Sequence, residues 1–200
     1  MKYIITGRHC GGKHEVLDLL DQKFDVKVAR EFCTIPKEDI GNVYIDEKYQ
    51  VYSQDDVSNM FNSGGYICMT TVEDNNVLDS YTHYRGISFY DFDLADVMVM
   101  YPSEVVNINK KQIRDDICFV WMDGNIDSRI HRFSQENRPY HFAEIENQEA
   151  QYDNDFTRVI YGFGCGVMYF NNEIPERVAC ILNACIQHPD LHDSFIENYN

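Results

Sequence analysis

The chain has no Cys-x-x-Cys pair, although it contains seven cysteines, at positions 10, 33, 68, 118, 165, 180 and 185. Their odd number and scattered spacing argue against a disulfide framework or a zinc site and favour reduced thiols. Apolar runs of membrane-spanning length are also missing, and the N-terminus shows no basic region followed by an apolar core. We therefore expect a soluble, cytoplasmic protein with no membrane partner.

Basic residues are scarce. Seventeen Lys and Arg stand against thirty-three Asp and Glu, which gives a formal net charge of −16. Such a surface repels polyanions, so a polymeric nucleic-acid partner is disfavoured. A small phosphate ligand remains compatible with this charge, because a helix N-terminus and a few local cations bind it against the global field.

Low-complexity tracts and internal repeats are absent as well. The chain is 44% apolar and 25% charged, which is ordinary for a globular protein and argues against wholesale disorder. Two hundred residues suit one domain that buries a real core but are few for two independent ones. We expect a single α/β unit.

The first thirty residues predict a strand, a glycine loop and a helix in that order. Residues 2–6 form a β-branched and aromatic run directly followed by glycines, and "KHEVLDLLDQKF" places Val16, Leu19 and Leu20 on one helical face. Residues 24–29 indicate a second strand. Together these elements predict a parallel β-α-β unit.

The segment from residue 30 to residue 88 has a different pattern. It predicts short antiparallel strands at 42–45, 49–52 and 66–71, with a small helix that begins at the cap-like sequence Ser53-Gln-Asp-Asp56. We interpret it as an inserted subdomain.

The core resumes after this segment. Residues 96–101 and 117–122 are continuous apolar runs, typical of strands buried on both faces of a parallel sheet, and 156–161 predicts a final core strand. A cap-like Asp127 opens a basic segment that leads into a predicted helix at 141–152. The sequence "IPERVACILNACIQ" predicts an amphipathic helix with an inward face formed by Val178, Ile181, Leu182 and Cys185.

The glycine loop, Gly7-Arg-His-Cys-Gly-Gly-Lys13, has the phosphate-binding spacing G-x-x-x-x-G-K. In such a loop, backbone N–H groups converge on phosphate oxygens, the helix dipole favours negative charge, and the lysine reaches toward the β- and γ-phosphates. The predicted phosphate-binding residues are Gly7, Cys10, Gly11, Gly12, Lys13 and His14. The alternative is a plain strand-to-helix turn that needs only the backbone freedom of glycine.

His14 stands where the motif carries Ser or Thr, whose hydroxyl is a ligand of Mg²⁺, a hard cation that imidazole serves poorly. Three alternatives follow: nucleotide phosphates and water alone hold Mg²⁺, another side chain replaces the ligand, or nucleotide binds without efficient turnover. A metal site formed by His9, Cys10 and His14 is disfavoured, because no carboxylates that could support it are identifiable nearby.

Taken in order, the motifs resemble the guanylate kinase family of P-loop nucleoside monophosphate kinases over nearly the full chain. "GRHCGGKH" is similar to the family's loop, "CTIPKEDIGNVYIDEKYQVYSQDDVSNMFNSGGY" to its acceptor segment, "SYTHYRGIS" to its Tyr-Tyr-Gly-Thr-Ser motif, and "ICFVWMDGNIDSRIHRF" to the strand before its lid arginines. The resemblance implies a P-loop nucleotide kinase fold, an α/β fold with a central parallel sheet flanked by helices, an inserted small β-rich acceptor subdomain and a lid. It divides the single domain into a core at 1–30 and 89–200, a lid at about 127–141 and an acceptor subdomain at 31–88.

The same resemblance implies ATP- and Mg²⁺-dependent phosphorylation of a nucleoside or deoxynucleoside monophosphate, with small-molecule nucleotides as partners. It assigns catalysis to Lys13, Arg129 and Arg132, with Arg138 as a further lid candidate, and acceptor binding to Arg30, Thr34, Tyr49 and Tyr84. The alternatives are a solvated helix face with ordinary ion pairs for the arginines and a packing role for the tyrosines.

The chain also departs from the family pattern. Ile35 replaces the arginine of the acceptor motif and leaves Arg30 or Lys37 as the nearby cations, "GGYICMTT" lacks the acidic residue that reads guanine, and Tyr101 stands where an aspartate is expected. The base is thus left open. The departures motivate a second hypothesis, a non-catalytic nucleotide-binding or protein-interaction module on the same fold, and a third, a P-loop kinase for another small metabolite.

Overall fold

The computed structural model describes residues 1–34, 50–73, 82–108, 116–135, 165–171 and 173–196, together with Phe142, Ala143, Glu146, Asn147, Ala150 and Thr157. In chain order the elements are β1 (Lys2–Gly7), α1 (Lys13–Phe24), β2 (Val28–Ala29), β3 (Phe32–Cys33), β4 (Gln50–Val51), α2 (Gln54–Ser63), β5 (Tyr66–Glu73), β6 (Thr82–Ser88), α3 (Phe89–Leu94), β7 (Val97–Val99), α4 (Pro102–Val105), β8 (Ile117–Met122), α5 (Ile126–Gln135), β9 (Gly166–Phe170) and α6 (Pro175–Gln187), followed by a 3-10 helix at Pro189–Ser194.

The core of this mixed α/β fold is a parallel five-stranded sheet with the strand order β2-β7-β1-β8-β9. Side chains alternate across it, so Tyr3 and Ile5 enter one hydrophobic cluster and Ile4 enters another. Helices α1 and α6 cover the first face, and β5, β6, α3 and α4 cover the second. Because β1 is central, the loop that follows it opens at the carboxyl edge of the sheet between its two neighbouring strands.

A second sheet has the order β4-β3-β6-β5. Strands β5 and β6 form an antiparallel pair, and β3 adds to β6 in the antiparallel sense. Helix α2 begins as predicted, with a capping box in which the Ser53 side chain accepts from the Asp56 N–H and the Asp56 side chain accepts from the Ser53 N–H. The prediction of a β-rich segment here is confirmed for the described residues.

One boundary, one strand direction and one additional strand differ from the predictions for the first half of the chain. The second strand begins at Val28 rather than at residue 24, because α1 continues to Phe24 and ends at a left-handed Asp25. The strand predicted at 49–52 is β4, which runs parallel to β3 rather than antiparallel, and alternation carries no information on direction. Strand β6 was not predicted, because apolar and polar residues do not alternate along it. It forms a strand through its hydrogen bonds to β5 and β3. The strand predicted at 42–45 lies outside the described residues.

In the second half, β7 and β8 are buried as predicted, and α6 turns Val178, Leu182 and Cys185 into the core with Ile181 packed against it. The basic segment itself contains helix α5, which was not predicted. Asp127, predicted as a cap, lies inside this helix, and the Asn125 side chain accepts its N–H at 2.9 Å.

A final strand was predicted at 156–161. Thr157, the one residue of this range that the structure describes, is helical, so the prediction is wrong there. The strand at the edge of the sheet beside β8 is instead β9. The described residues between 142 and 150 are helical, in agreement with the helix predicted there. Within the described part of the chain, no helix combines the length and apolar character that crossing a bilayer requires.

Candidate phosphate-binding site

The loop after β1 folds tightly against the end of β8. Gly7 has a φ of +122°, and a Cβ at this position would stand 2.1 Å from the carbonyl oxygen of Met122. The Arg8 N–H donates to that same oxygen at 3.0 Å. The close approach of two backbones therefore requires the first glycine of the motif.

The remainder of the loop turns into helix α1 through two left-handed residues. Cys10 has a φ of 55° and Gly12, the N-cap, has a φ of 92°. Left-handed residues in a tight turn orient successive N–H groups into a concavity that binds anions, and here the concavity opens at a helix N-terminus. Gly12 also offers no side chain to cap α1. This local geometry fits the phosphates of a nucleotide.

Lys13 places its charge inside the loop that precedes it. The residue is 4% exposed, and its Nζ donates to the carbonyl oxygens of Gly7 at 2.9 Å and Arg8 at 2.6 Å. The same Nζ lies 5.2 Å from the centre of the Tyr101 ring. A buried ammonium at a phosphate-type loop is the arrangement that the motif predicts.

Helix α5 brings two arginines to the same loop. Arg129 is 3% exposed, donates from Nε to the carbonyl oxygen of His9 at 2.8 Å, and pairs with Glu146. Arg132 donates from Nη1 to the carbonyl oxygen of Cys10 at 3.3 Å, and its side chain is 32% exposed. The structure therefore places both predicted arginines at the loop, although Arg129 is enclosed by protein groups and Arg132 is accessible.

His14 and Tyr101 contact each other beside Lys13. The His14 Nε2 and the Tyr101 hydroxyl are 3.3 Å apart. Tyr101 follows β7, which is a parallel neighbour of β1, so it leaves the sheet at the edge where the loop opens. In P-loop proteins a hydroxyl after the lysine and an aspartate hold Mg²⁺, and an imidazole and a phenol are poor ligands for that hard cation. The donor set at these two positions therefore does not fit Mg²⁺.

Asp123 is the carboxylate that follows β8, on the opposite side of β1 from Tyr101. Its Oδ1 lies 3.6 Å from Nε of Arg8, which makes an ion pair at the start of the loop. Neither residue was singled out from the sequence, although Arg8 lies inside the motif. Across the residues that the structure describes, no group of three or more His, Cys, Asp or Glu side chains is placed to hold a metal ion.

The predicted acceptor residues are only partly brought together. Arg30 pairs with Asp18 at 3.1 Å and Asp21 at 2.9 Å, so it lies against the middle of α1 rather than at the loop. Thr34 accepts the Tyr84 N–H at 3.0 Å through its hydroxyl, which joins β3 and β6 beyond their ladder. Tyr49 and Arg138 lie outside the described residues.

An arginine of β6 was missed although it lies in the quoted "YRGIS". Arg85 donates from Nε to the buried Glu104 at 2.7 Å, lies 3.8 Å from the buried Glu31, and stands with its Cζ 4.3 Å from the centre of the Tyr101 ring. Burial raises the pKa of the neighbouring Cys68 thiol, and the charges of Glu104 and Glu31 raise it further. Arg85 and Lys13 thus both lie against the ring of Tyr101.

Comparison with known proteins adds a distant likeness. No protein-family model matches this chain, and no curated protein matches it in sequence. Among solved structures, the guanylate kinase from Anaplasma phagocytophilum is similar, with a TM-score of 0.49 and 7% identity over 99% of this chain and 90% of that one. A likeness at this level says nothing about activity, so the function proposed below depends on the residues of the loop.

Proposed function

We propose that the chain binds a nucleoside triphosphate through its phosphates at the loop Gly7–Lys13 and transfers the terminal phosphoryl group to a nucleoside monophosphate. One observation carries this proposal: Lys13 from α1 and Arg132 from α5 both place cationic groups on a glycine turn with left-handed residues at a helix N-terminus. Phosphoryl transfer asks for positioning and charge neutralisation rather than covalent chemistry from the protein.

The residues divide the work by their accessibility. Lys13 exchanges its bonds to the loop carbonyls for phosphate oxygens, and the backbone N–H groups of the turn hold the same phosphates. Arg132 neutralises charge on the transferring group, since its partly exposed side chain can leave Glu15, which lies 3.3 Å away. Arg129 is a positioning residue that holds the carbonyl oxygen of His9.

The proposal that a nucleoside monophosphate is the acceptor depends on the resemblance of the sequence motifs to those of the guanylate kinase family. Tyr84 is half-buried, and its backbone is fixed to Thr34 from both directions, because the Thr34 N–H also donates to the Tyr84 carbonyl at 3.1 Å. Arg30 lies elsewhere, because its guanidinium forms ion pairs with two carboxylates of α1. We therefore assign Tyr84, rather than Arg30, to acceptor binding.

The test is ADP formation with ATP and a panel of ribo- and deoxynucleoside monophosphates. We expect ADP that depends on one of these acceptors and is lost in Lys13→Met, a variant that keeps an unbranched side chain but removes the charge. The matched control is Lys23→Met, an exposed lysine in the last turn of the same helix, which should keep the activity. Folded wild-type protein that gives no ADP above the control without acceptor would contradict transfer.

A second function, nucleotide binding without transfer, is favoured by the contact between His14 and Tyr101, which occupies the two positions that serve Mg²⁺ in P-loop enzymes. A thermal-shift titration separates the two. Stabilisation by ATP that is lost in Lys13→Met, without ADP formation on any acceptor, supports the second function.

A further inference from the structure

We infer that the loop takes its nucleotide in the metal-free form, with Lys13 and Arg132 supplying the charge that Mg²⁺ supplies in other P-loop proteins. This inference rests on the proposed nucleotide site and names the chemical form of its ligand. It follows from the donor groups at two described positions and from the cations that surround the loop.

The first of these positions is the residue after the loop lysine. A Ser or Thr hydroxyl there is a direct oxygen ligand of Mg²⁺. His14 carries an imidazole, which suits zinc, copper, iron and nickel but not a hard cation that prefers oxygen and water. Its Nε2 is also committed to the hydroxyl of Tyr101 at 3.3 Å.

The second position is the end of the strand beside β1. The Met100 N–H donates to the Ile5 carbonyl at 3.0 Å, so the chain is still paired with β1 immediately before Tyr101 emerges. The Tyr101 side chain is a phenol, which replaces a carboxylate at this point. The ring then lies over Lys13, with Nζ 5.2 Å from its centre, and fills the space beside the ammonium with an aromatic surface.

Asp123 is one carboxylate near the loop that a metal would otherwise recruit. It follows β8, which flanks β1 on the side opposite to β7, whereas His14 contacts Tyr101 on the β7 side. Its Oδ1 lies 3.6 Å from Nε of Arg8. The loop therefore separates this carboxylate from the position of His14.

The electrostatics favour the free polyphosphate. Mg²⁺ removes two charges from the phosphates, so a site whose neutralising groups are Lys13 and Arg132 attracts the uncomplexed nucleotide more strongly. The acidic net charge of the protein opposes this, but at physiological salt a Debye length of about 8 Å screens distant carboxylates more than adjacent cations. Glu15, 3.3 Å from Arg132, lies within this distance, so Arg132 exchanges that ion pair for the phosphates when the nucleotide binds.

The experiment measures the Kd of ATP for the full chain by calorimetry, in EDTA and in excess Mg²⁺, with inorganic tripolyphosphate as a second probe. We expect excess Mg²⁺ to leave the Kd unchanged or to raise it for both probes. The variant that combines His14→Thr with Tyr101→Asp restores oxygen ligands, and in it Mg²⁺ should lower the Kd by about tenfold. If the double variant does not fold, His14→Thr alone replaces it in the experiment. In that variant Mg²⁺ should also lower the Kd, but by a smaller factor.

The outcomes separate the inference from the proposed function. If Mg²⁺ lowers the wild-type Kd by about tenfold or more, the inference is overturned while the nucleotide site stands. If that enhancement disappears in Asp123→Asn, the aspartate holds the metal and the inference is again overturned. If neither ATP nor tripolyphosphate binds in either buffer, the phosphate site itself fails.

Discussion

Arg129 reaches from helix α5 to the glycine loop Gly7–Lys13, where its Nε donates a hydrogen bond of 2.8 Å to the carbonyl oxygen of His9. Its guanidinium pairs with Glu146 and lies 5.4 Å from the centre of the Phe142 ring. These protein partners and an exposure of 3% make this arginine a part of the loop's support. Arg132, one turn later, is the arginine that can meet a ligand.

Replacing Arg129 with Met should lower the free energy of unfolding by about 2 to 3 kcal/mol, because a buried carbonyl and the Glu146 carboxylate lose their donor. Urea denaturation followed by circular dichroism measures this loss. Arg132→Met is the matched control and should change stability by no more than about 0.5 kcal/mol, since its contacts are partly exposed. Equal losses in the two variants would contradict the division of roles.

Arg132→Met should instead weaken ATP binding by about tenfold, because one charge-assisted contact to phosphate is lost. Calorimetric Kd values for the variant and the wild type in the same buffer provide the measurement. Arg177→Met, on the exposed face of α6, removes the same charge from the protein away from the loop and should leave the Kd unchanged. A similar effect in both variants would assign the change to net charge alone.

Gly7→Ala should cost at least about 3 kcal/mol of stability, because the new Cβ meets the Met122 carbonyl at 2.1 Å on a backbone with φ of +122°. The control is Gly64→Ala. That glycine has a φ of +68°, and no atom lies within 4 Å of the position that a Cβ would take, so only the conformational cost of about 1 kcal/mol applies. Thermal denaturation of both variants tests whether the loop needs glycine for close packing.

Acid should weaken the attachment of the C-terminal 3-10 helix. Burial lowers the pKa of His192, with an opposing contribution from Asp193 and a further lowering by the N-terminal amine, and its Nδ1 lies 3.3 Å from the Tyr3 hydroxyl. The unfolded chain therefore binds a proton that the folded protein resists, so the stabilisation is present above the ordinary pKa of about 6.5 and is lost as pH falls below it.

The measurement compares urea midpoints at pH 7.5 and pH 5 for wild type and His192→Asn. The wild type should lose more stability on acidification than the variant, which has no imidazole at this site. His188→Asn, an exposed histidine next to the 3-10 helix, should behave like the wild type. An identical acid response in wild type and His192→Asn would remove His192 as the cause.

Some elements of the fold could be predicted from local patterns. The burial of β7 and β8 follows from continuous apolar runs, and α6 follows from its amphipathic spacing. Strand β6 could not be predicted in this way, since Gly86 interrupts its residues and hydrogen bonds to two other strands hold it. The last strand was predicted at 156–161, whereas β9 begins at Gly166 and pairs with β8. Several short apolar runs follow one another in this region, and periodicity alone does not tell which of them joins the sheet.

The sequence by itself determined the glycine loop, the lysine that follows it and the arginines after β8, because these depend on residue type and spacing along the chain. Only the tertiary structure decided what each group contacts: Arg129 supports the loop, Arg132 remains accessible, Arg30 turns to α1, and His14 meets Tyr101. The physical reason is that strands distant in the chain lie side by side in the sheet. Their edges bring together groups, such as His14 and Tyr101, whose relation no local pattern records.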